Sequence, residues 1–185
     1  MKRLRIAFVV CGSIDQVSGG YIYDRALIAA LRAAGHQVDV CELPRRRYLA
    51  DVAESVARAG SRKVFPGARA PADYDAAIHD ELIHPAVFLS EAGDARLPRG
   101  KLVLALVHNL RCNQPSERLP RVKTRVERRY LSTVDGVVAV CARTLDDARA
   151  LAGGSLPGVV VHPGRDHVRP TLDGPAVIAR CHEPG

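Results

Sequence analysis

The chain has 185 residues, of which 47% are apolar and 25% are charged, enough for one well-packed domain and too few for two of ordinary size. Its formal net charge of +7 is basic, but aromatic residues make up only 4%, Trp is absent, and no RNA- or DNA-binding motif occurs, which argues against a nucleic-acid partner. No apolar run has the length of a membrane span and no signal-peptide pattern follows the first five residues, so we expect a cytoplasmic protein.

The beginning of the chain has the pattern of a strand, a glycine turn and a helix. Residues 6–11 form a continuous apolar run, as in a buried strand, and apolar side chains then recur at helical spacing. Ser18 is placed to cap this helix and Gly35 to end it. The turn before the helix ends in Gly19 and Gly20, whose backbone N–H groups we expect to point outward, toward an anion or a sugar hydroxyl.

Strands and helices continue to alternate along the chain. This alternation predicts an α/β fold, a Rossmann-like doubly wound parallel sheet of about six strands with helices on both faces. Further strands are predicted at residues 37–43, 74–80, 101–107, 134–140 and 158–161, and further helices at residues 48–59, 85–91, 119–132 and 144–151.

The pattern changes after residue 162. Residues 163–175 contain Pro and Gly at the density of a linker, and residues 176–180 begin another apolar run. A lone terminal strand would leave an unpaired sheet edge. We therefore expect a domain at residues 1–162, an interdomain linker at 163–175, and the truncated start of a C-terminal domain at 176–185.

The glycine turn matches neither of two common nucleotide-binding loops. Six residues separate Gly12 from Gly19, which excludes the GxGxxG fingerprint, and no Lys-Ser or Lys-Thr follows Gly20, which excludes a Walker A loop. The sequence therefore disfavours a nicotinamide-dependent dehydrogenase, and it disfavours a nucleotide held wholly within this domain.

Polar residues occur at the predicted carboxyl ends of three strands. In the usual 3-2-1-4-5-6 strand order, the first and fourth strands are neighbours where the order reverses, and ligands bind in the crevice beyond their ends. The plainer alternatives are that Asp80 or Glu81 caps the next helix, that His79 is only a strand residue, and that His108 is only a loop residue. We expect one binding cleft lined by Gly19, Gly20, His79, Asp80, Glu81, His108 and Asn109.

No metal site is expected from the sequence. The segment HDELIH resembles a zincin helix, but its histidines, His79 and His84, are five positions apart instead of four. The five cysteines lie far apart and contain no CxxC pair, so neither a zinc ribbon nor a disulfide framework is indicated.

Two basic runs, Arg45 to Arg47 and residues 121–129, bear on the partners of the protein. They suit an anionic lipid or a phosphorylated acceptor, and the alternative is a solvated arginine-rich surface. Peripheral contact with an anionic membrane is therefore one expectation.

Five short motifs follow one another over nearly the whole chain. They are a Gly-Gly turn with a helix ending in Gly-His (SGGYIYDRALIAALRAAGHQVDV), a strand beginning Tyr-Asp (YDAAIHDEL), a strand ending in His (ALVHNL), a helix and strand (VERRYLSTVDGVVAV), and a closing turn (HPGRD). In this order they resemble the N-terminal domain of a family 4 retaining glycosyltransferase with the GT-B fold. The domain would then be one half of a GT-B architecture.

The resemblance implies transfer of a sugar from a nucleotide-sugar to a sugar or lipid-linked acceptor, with retention at the anomeric carbon and with no cofactor or bound metal. It implies that His108 contacts the transferred sugar as the catalytic residue. It also implies that Gly19 and Gly20 approach the donor phosphates or the acceptor, and that Gly164 and Asp166 belong to the interdomain hinge.

In the resembled family a C-terminal domain binds the nucleotide and supplies an acidic pair with E-x7-E spacing. The 185-residue chain alone is therefore expected to be inactive or nearly so. Two positions depart from the family pattern: Cys141-Ala142 stands where a Ser is common, and Pro163 stands where an Asn is usual. The alternative function is a free-standing, non-catalytic Rossmann-like module that binds an anionic glycan or lipid.

Overall fold

The computed structural model describes residues 2–57, 73–89, 101–114 and 119–164. These residues form one sheet of six parallel strands with helices on both faces, which confirms the predicted Rossmann-like α/β fold. The strands are β1 (Arg5–Cys11), β2 (Gln37–Leu43), β3 (Ala76–Asp80), β4 (Leu102–Val107), β5 (Gly136–Ala139) and β6 (Gly158–Val160). The helices are α1 (Gly19–Ala33), α2 (Tyr48–Ala57), α3 (His84–Val87), α4 (Pro120–Leu131) and α5 (Ala142–Ala152).

The strand order is β2-β1-β3-β4-β5-β6, so the predicted 3-2-1-4-5-6 order is wrong. β3 lies between β1 and β4 and pairs with both. The physical reason is burial: all five residues of β3 are buried, as a central strand requires, whereas β2 carries polar residues and lies at the edge. The order therefore reverses between β1 and β3, and the crevice for ligands is expected beyond the ends of these two strands.

The two faces of the sheet are covered by different helices. Side chains of α1, including Tyr21 and Ile28, pack on alternate residues of β1 such as Phe8. The opposite face packs against α2 to α5, with Tyr130 and Leu145 among the contacting residues. Successive strand residues point to opposite faces, so each strand contributes to both cores.

α1 begins and ends where the sequence predicts. The Ser18 hydroxyl accepts a hydrogen bond from the Tyr21 N–H at 3.4 Å, which satisfies a backbone donor of the first turn. The helix ends before Gly35, which has φ of +90°, a left-handed conformation that glycine adopts without strain. The capped end of α1 faces the carboxyl edge of the sheet, where the candidate site lies.

The other element boundaries are close to the predicted ones, with one change of type. A 3-10 turn, Glu81–Ile83, precedes α3 because the Asp80 carboxylate accepts the Leu82 N–H at 2.8 Å. Among the residues that the structure describes, no helix is both long and apolar enough to cross a membrane. The predicted C-terminal segment 176–185 and most of the predicted linker lie outside the described residues, so the domain boundaries stay predictions.

Candidate functional site

The candidate site centres on His108, the first residue after β4. Its Nε2 lies 2.9 Å from Oδ1 of Asp24 on α1 and 4.0 Å from Oδ2 of Asp80 at the end of β3. Asp24 and Asp80 are almost completely buried, whereas the His108 side chain is 16% exposed. One helix and two neighbouring strands thus bring their polar groups to a single point at the carboxyl edge.

Asp24 was not among the residues predicted to line the cleft, although its position carries a signal. It lies on the buried face of α1, between Tyr21 and Ile28 in helical spacing, where an apolar side chain would be ordinary. A fully buried carboxylate needs a charged or hydrogen-bonding partner. His108 is that partner for Oδ1, while Oδ2 of Asp24 has no hydrogen-bond partner in the described part of the chain.

Two carboxylates, the half-buried Glu81 and the buried Glu127, hold the loop that follows β4. Oε2 of Glu81 accepts hydrogen bonds from the N–H groups of His108, at 2.5 Å, and Asn109, at 2.6 Å. Glu127 of α4, which is 3% exposed, accepts the N–H groups of Arg111 and Cys112 at 2.7 and 2.9 Å. Since each carboxylate binds two successive backbone donors, the loop has a defined conformation. The side chains of His108 and Arg111 therefore project from fixed backbone positions.

The surroundings of His108, Asp80 and Glu81 shift the pKa values of these three side chains. Burial by itself lowers the pKa of the His108 imidazole, but the hydrogen bond that His108 donates to Asp24 and the charges of Glu81, Asp24 and Asp80 outweigh this effect, so that the pKa is raised. Burial, reinforced by the charges of Asp24 and Glu81, raises the pKa of Asp80 well above the usual carboxyl range. Burial also raises the pKa of Glu81 to about 7.

The Gly-Gly turn lies against the His108 ring. A Cβ atom added to Gly20 would lie 3.4 Å from Cδ2 of His108, whereas a Cβ atom added to Gly19 would have no neighbour within 4 Å. The Tyr23 ring meets the same imidazole edge-on, with ring centroids 5.2 Å apart. The structure therefore brings Gly20 and Asp80, two of the residues predicted for the cleft, close to the His108 ring.

Not every predicted residue reaches this cleft. His79 is 3% exposed, and its ring stacks on Tyr130 with centroids 6.3 Å apart, in the core on the other face of the sheet. Asn109 is exposed beside His108 and is held through its backbone. Gly164 is exposed beyond β6, and Asp166, the other predicted hinge residue, lies outside the described residues.

A metal ion could be held by one group of side chains in the described part of the chain. Asp24, Asp80 and His108 offer ligand atoms that lie within 4.8 Å of one another. In the geometry present, Nε2 of His108 is occupied by its hydrogen bond to Asp24. The arrangement is that of a hydrogen-bonded ion pair, and the expectation of no metal site stays a prediction.

Comparisons with known proteins identify no relative for this chain. No protein-family model matches it, and no curated protein matches it. The function must therefore be argued from the chemistry of the site.

The arrangement can present one oriented, cationic imidazole to a ligand. Because Nε2 of His108 faces a carboxylate, it carries a proton and donates a hydrogen bond to Asp24, which leaves Nδ1 as the ring nitrogen for a ligand. No described residue is bonded to Nδ1. With its pKa raised, the ring is more often protonated at neutral pH than an ordinary histidine, and Nδ1–H can then donate to a hydroxyl or phosphate oxygen.

Proposed function

We propose that this chain is the acceptor-side domain of a retaining glycosyltransferase, which transfers a sugar from a nucleotide-sugar to an acceptor at the cleft beyond β1, β3 and β4. The observation that carries the proposal is the proximity of Gly20 to the His108 ring, where a Cβ atom added to Gly20 would lie 3.4 Å from Cδ2. These residues belong to two separate motifs of the family resemblance, and they come together at the carboxyl edge of the sheet. A Rossmann-like fold alone would not identify an activity.

In the proposed reaction, His108 is the catalytic residue. Its Nδ1–H donates to a hydroxyl of the transferred sugar, and its cationic form compensates negative charge that develops on the donor. Asp24 holds the ring through Nε2 and so fixes its orientation.

The Gly-Gly turn supplies the second group of donors in the proposal. The N–H groups of Gly19 and Gly20 begin α1, and no described group accepts a hydrogen bond from them. Donors of this kind, at the positive end of a helix dipole, suit a phosphate or hydroxyl oxygen. The proposal assigns nucleotide binding and stabilisation of the departing diphosphate to a second domain, as in the resembled family.

The experiment measures nucleotide release from a panel of nucleotide-sugars by the longest chain that the reading frame encodes. We expect release with at least one donor, and we expect His108→Ala to reduce the rate by about a hundredfold. The matched control is His36→Ala, which removes a histidine at the opposite edge of the sheet, where Nδ1 accepts the Leu4 N–H at 3.2 Å. This control should keep its rate.

Full activity of the His108→Ala variant would overturn the catalytic role of His108. No nucleotide release from any donor, together with saturable binding of an anionic glycan by the 185-residue chain, would support the alternative of a non-catalytic binding module. Binding of NAD instead of a nucleotide-sugar would contradict both functions.

A further inference from the structure

A second concave site lies at the same edge of the sheet, on the side of β2. It is a cavity of about 190 Å³ whose walls come from the ends of β1, β2, β3 and β4. Three arginines line it, Arg45 and Arg46 after β2 and Arg111 after β4, and one carboxylate, Asp51, is among the other described lining residues. We call this cavity the arginine pocket.

The arginines of the pocket are held by different contacts. Nη1 of Arg45 donates to the side-chain oxygen of Gln16 at 2.8 Å, so its described hydrogen-bond partner is a neutral amide. Arg46 pairs with Glu54 of α2. The guanidinium carbon of Arg111 lies 5.7 Å from the centroid of the Tyr48 ring, in a cation–π contact.

Arg111 is also fixed through its backbone. Its N–H donates to Oε1 of the buried Glu127 at 2.7 Å, so the backbone from which the Arg111 side chain projects is constrained. A guanidinium that is oriented before a ligand arrives loses less entropy when it binds. The pocket is therefore partly organised for an anion.

Two of the guanidinium groups act on the same atom of the pocket wall. Burial raises the pKa of the Cys11 thiol, and the charges of Asp51 and Asp80 add to this, whereas the charges of Arg45 and Arg111 oppose it. Arg45 and Arg111 come from loops that are far apart in sequence, yet both line the same cavity as Cys11 at the end of β1.

We infer that the arginine pocket binds the phosphoryl group of a phosphorylated ligand. The planar fork of a guanidinium group can donate two parallel hydrogen bonds to two oxygens of a phosphoryl group, and two such groups line this cavity from different loops. A recess of this volume admits a phosphoryl group, and the Tyr48 and Gln114 side chains on its wall are polar groups for the part attached to it. The binding inference stands without the proposed glycosyltransferase function, and only the step of naming the ligand as the sugar acceptor rests on it.

The test titrates the 185-residue chain with inorganic phosphate and follows binding by calorimetry and by backbone amide NMR shifts. We expect saturable binding that shifts the amides of Arg45 and Arg111. The double variant Arg45→Gln/Arg111→Gln should weaken binding by at least about tenfold, because it removes the charge-assisted hydrogen bonds of two guanidinium groups to the phosphoryl oxygens.

The matched control is Arg121→Gln/Arg125→Gln, which removes the same charge from exposed positions of α4 outside the pocket. It should leave phosphate binding within about twofold of the unchanged protein. Equal weakening by both double variants would overturn the inference, because net charge would then explain the binding. Should Arg111→Gln impair folding, the single variant Arg45→Gln at an exposed position gives the same comparison with Arg125→Gln.

Two further arms distinguish the sources of the phosphoryl group. One uses free inositol phosphate, and the other uses vesicles of phosphatidylcholine with or without phosphatidylinositol. Arginine-pocket-dependent binding to the free compound alone indicates a small phosphorylated ligand, and such binding to phosphatidylinositol vesicles alone indicates a lipid headgroup. No binding to phosphate, inositol phosphate or vesicles overturns the inference.

The two proposals can fail separately. Nucleotide release without phosphate binding in the arginine pocket would leave the glycosyltransferase proposal standing and overturn the inference about the pocket. Phosphate binding that depends on Arg45 and Arg111, without nucleotide release from any donor, would support the inference about the pocket and overturn the glycosyltransferase proposal.

Discussion

Asp24 and His108 are 84 positions apart in sequence, and Nε2 of His108 lies 2.9 Å from Oδ1 of Asp24, which is in the second turn of α1. Asp24 has no exposed surface, whereas the His108 side chain is 16% exposed. A buried carboxylate that orients a partly exposed imidazole is a common way to fix which ring nitrogen carries a proton. Asp24 is therefore a positioning residue for His108.

The first prediction concerns the pKa of His108. Asp24→Asn keeps an oxygen that can accept the Nε2–H but removes the negative charge, so the pKa of His108 should fall by about one unit or more. The measurement is an NMR titration of the His108 Cε1–H resonance. Asp146→Asn, at an exposed position of α5, is the control and should leave that titration unchanged. An unaltered His108 pKa in Asp24→Asn would show that the ion pair does not set it.

The second prediction concerns stability against pH. The pKa of Glu81 is raised from 4.5 to about 7 by burial, so the unfolded chain releases this proton at a lower pH than the folded protein does. Stability therefore falls as pH rises from about 4.5 to about 7, because the folded state binds more protons there. His108 acts in the same direction: its contribution is complete below its unfolded pKa of about 6.5 and is lost as pH rises through its raised folded pKa.

Glu81→Gln should remove the larger part of this decrease in stability with pH. The Gln oxygen can still accept the two backbone N–H groups, while the titration that costs up to about 3 kcal/mol near neutral pH disappears. Urea unfolding at a series of pH values between about 4.5 and about 8 checks this. Glu42→Gln is the control, because the Glu42 carboxylate also accepts a backbone N–H, from Ile14, but is exposed. A slope that Glu81→Gln leaves as steep as before would contradict the assignment.

The alternation of strands and helices was predictable because each buried strand and amphipathic helix has its own periodicity. The strand order was not, because the direction of a crossover depends on tertiary packing and has no local pattern; the polar residues of β2 were the available hint of an edge strand. His79 and Asp80 could not both face the cleft, since neighbours on a strand point to opposite faces. The same rule separates His79, on Tyr130, from Asp80, beside His108.

The partners of Asp24, Glu81 and Glu127 in the site could not be predicted from the sequence. A charged residue on the buried face of α1 was detectable, but its partner on another element was not. Glu127 was part of a recognised motif, and its role as acceptor of the Arg111 and Cys112 N–H groups required the packing of α4 beside the loop. Contacts between residues distant in sequence therefore came only from the structure.

The third prediction compares the two glycines of the turn. Gly20→Val places a branched side chain against the His108 ring, whereas Gly19→Val places the same side chain in open space. Both changes alter helix propensity similarly, so their difference isolates the contact. We expect Gly20→Val to lower the free energy of unfolding by about 1 to 2 kcal/mol more than Gly19→Val, and to shift the His108 ring resonances. Equal stabilities with unshifted resonances would mean that the ring does not pack on Gly20.

The fourth prediction concerns Gly158, where β6 begins. A Cβ atom there would overlap Cδ1 of Leu145 on α5 and would lie 3.0 Å from the carbonyl oxygen of Val137 on β5. Gly158→Ala should therefore destabilise the protein by about 1 to 3 kcal/mol, because the added methyl group has no room beside the buried Leu145 side chain. Denaturant unfolding measures this loss directly.

A double-mutant cycle with Leu145→Ala separates the two contacts of Gly158. Shortening Leu145 removes the overlapping Cδ1 atom and opens space beside β6, so Gly158→Ala should cost less than about 1 kcal/mol in that background. The remaining cost would come from the Val137 carbonyl, which belongs to the strand paired with β6 and can move only if the strands separate. If the two substitutions are additive instead, Leu145 is not what limits the space at Gly158, and the close approach of the β5 backbone alone requires glycine there.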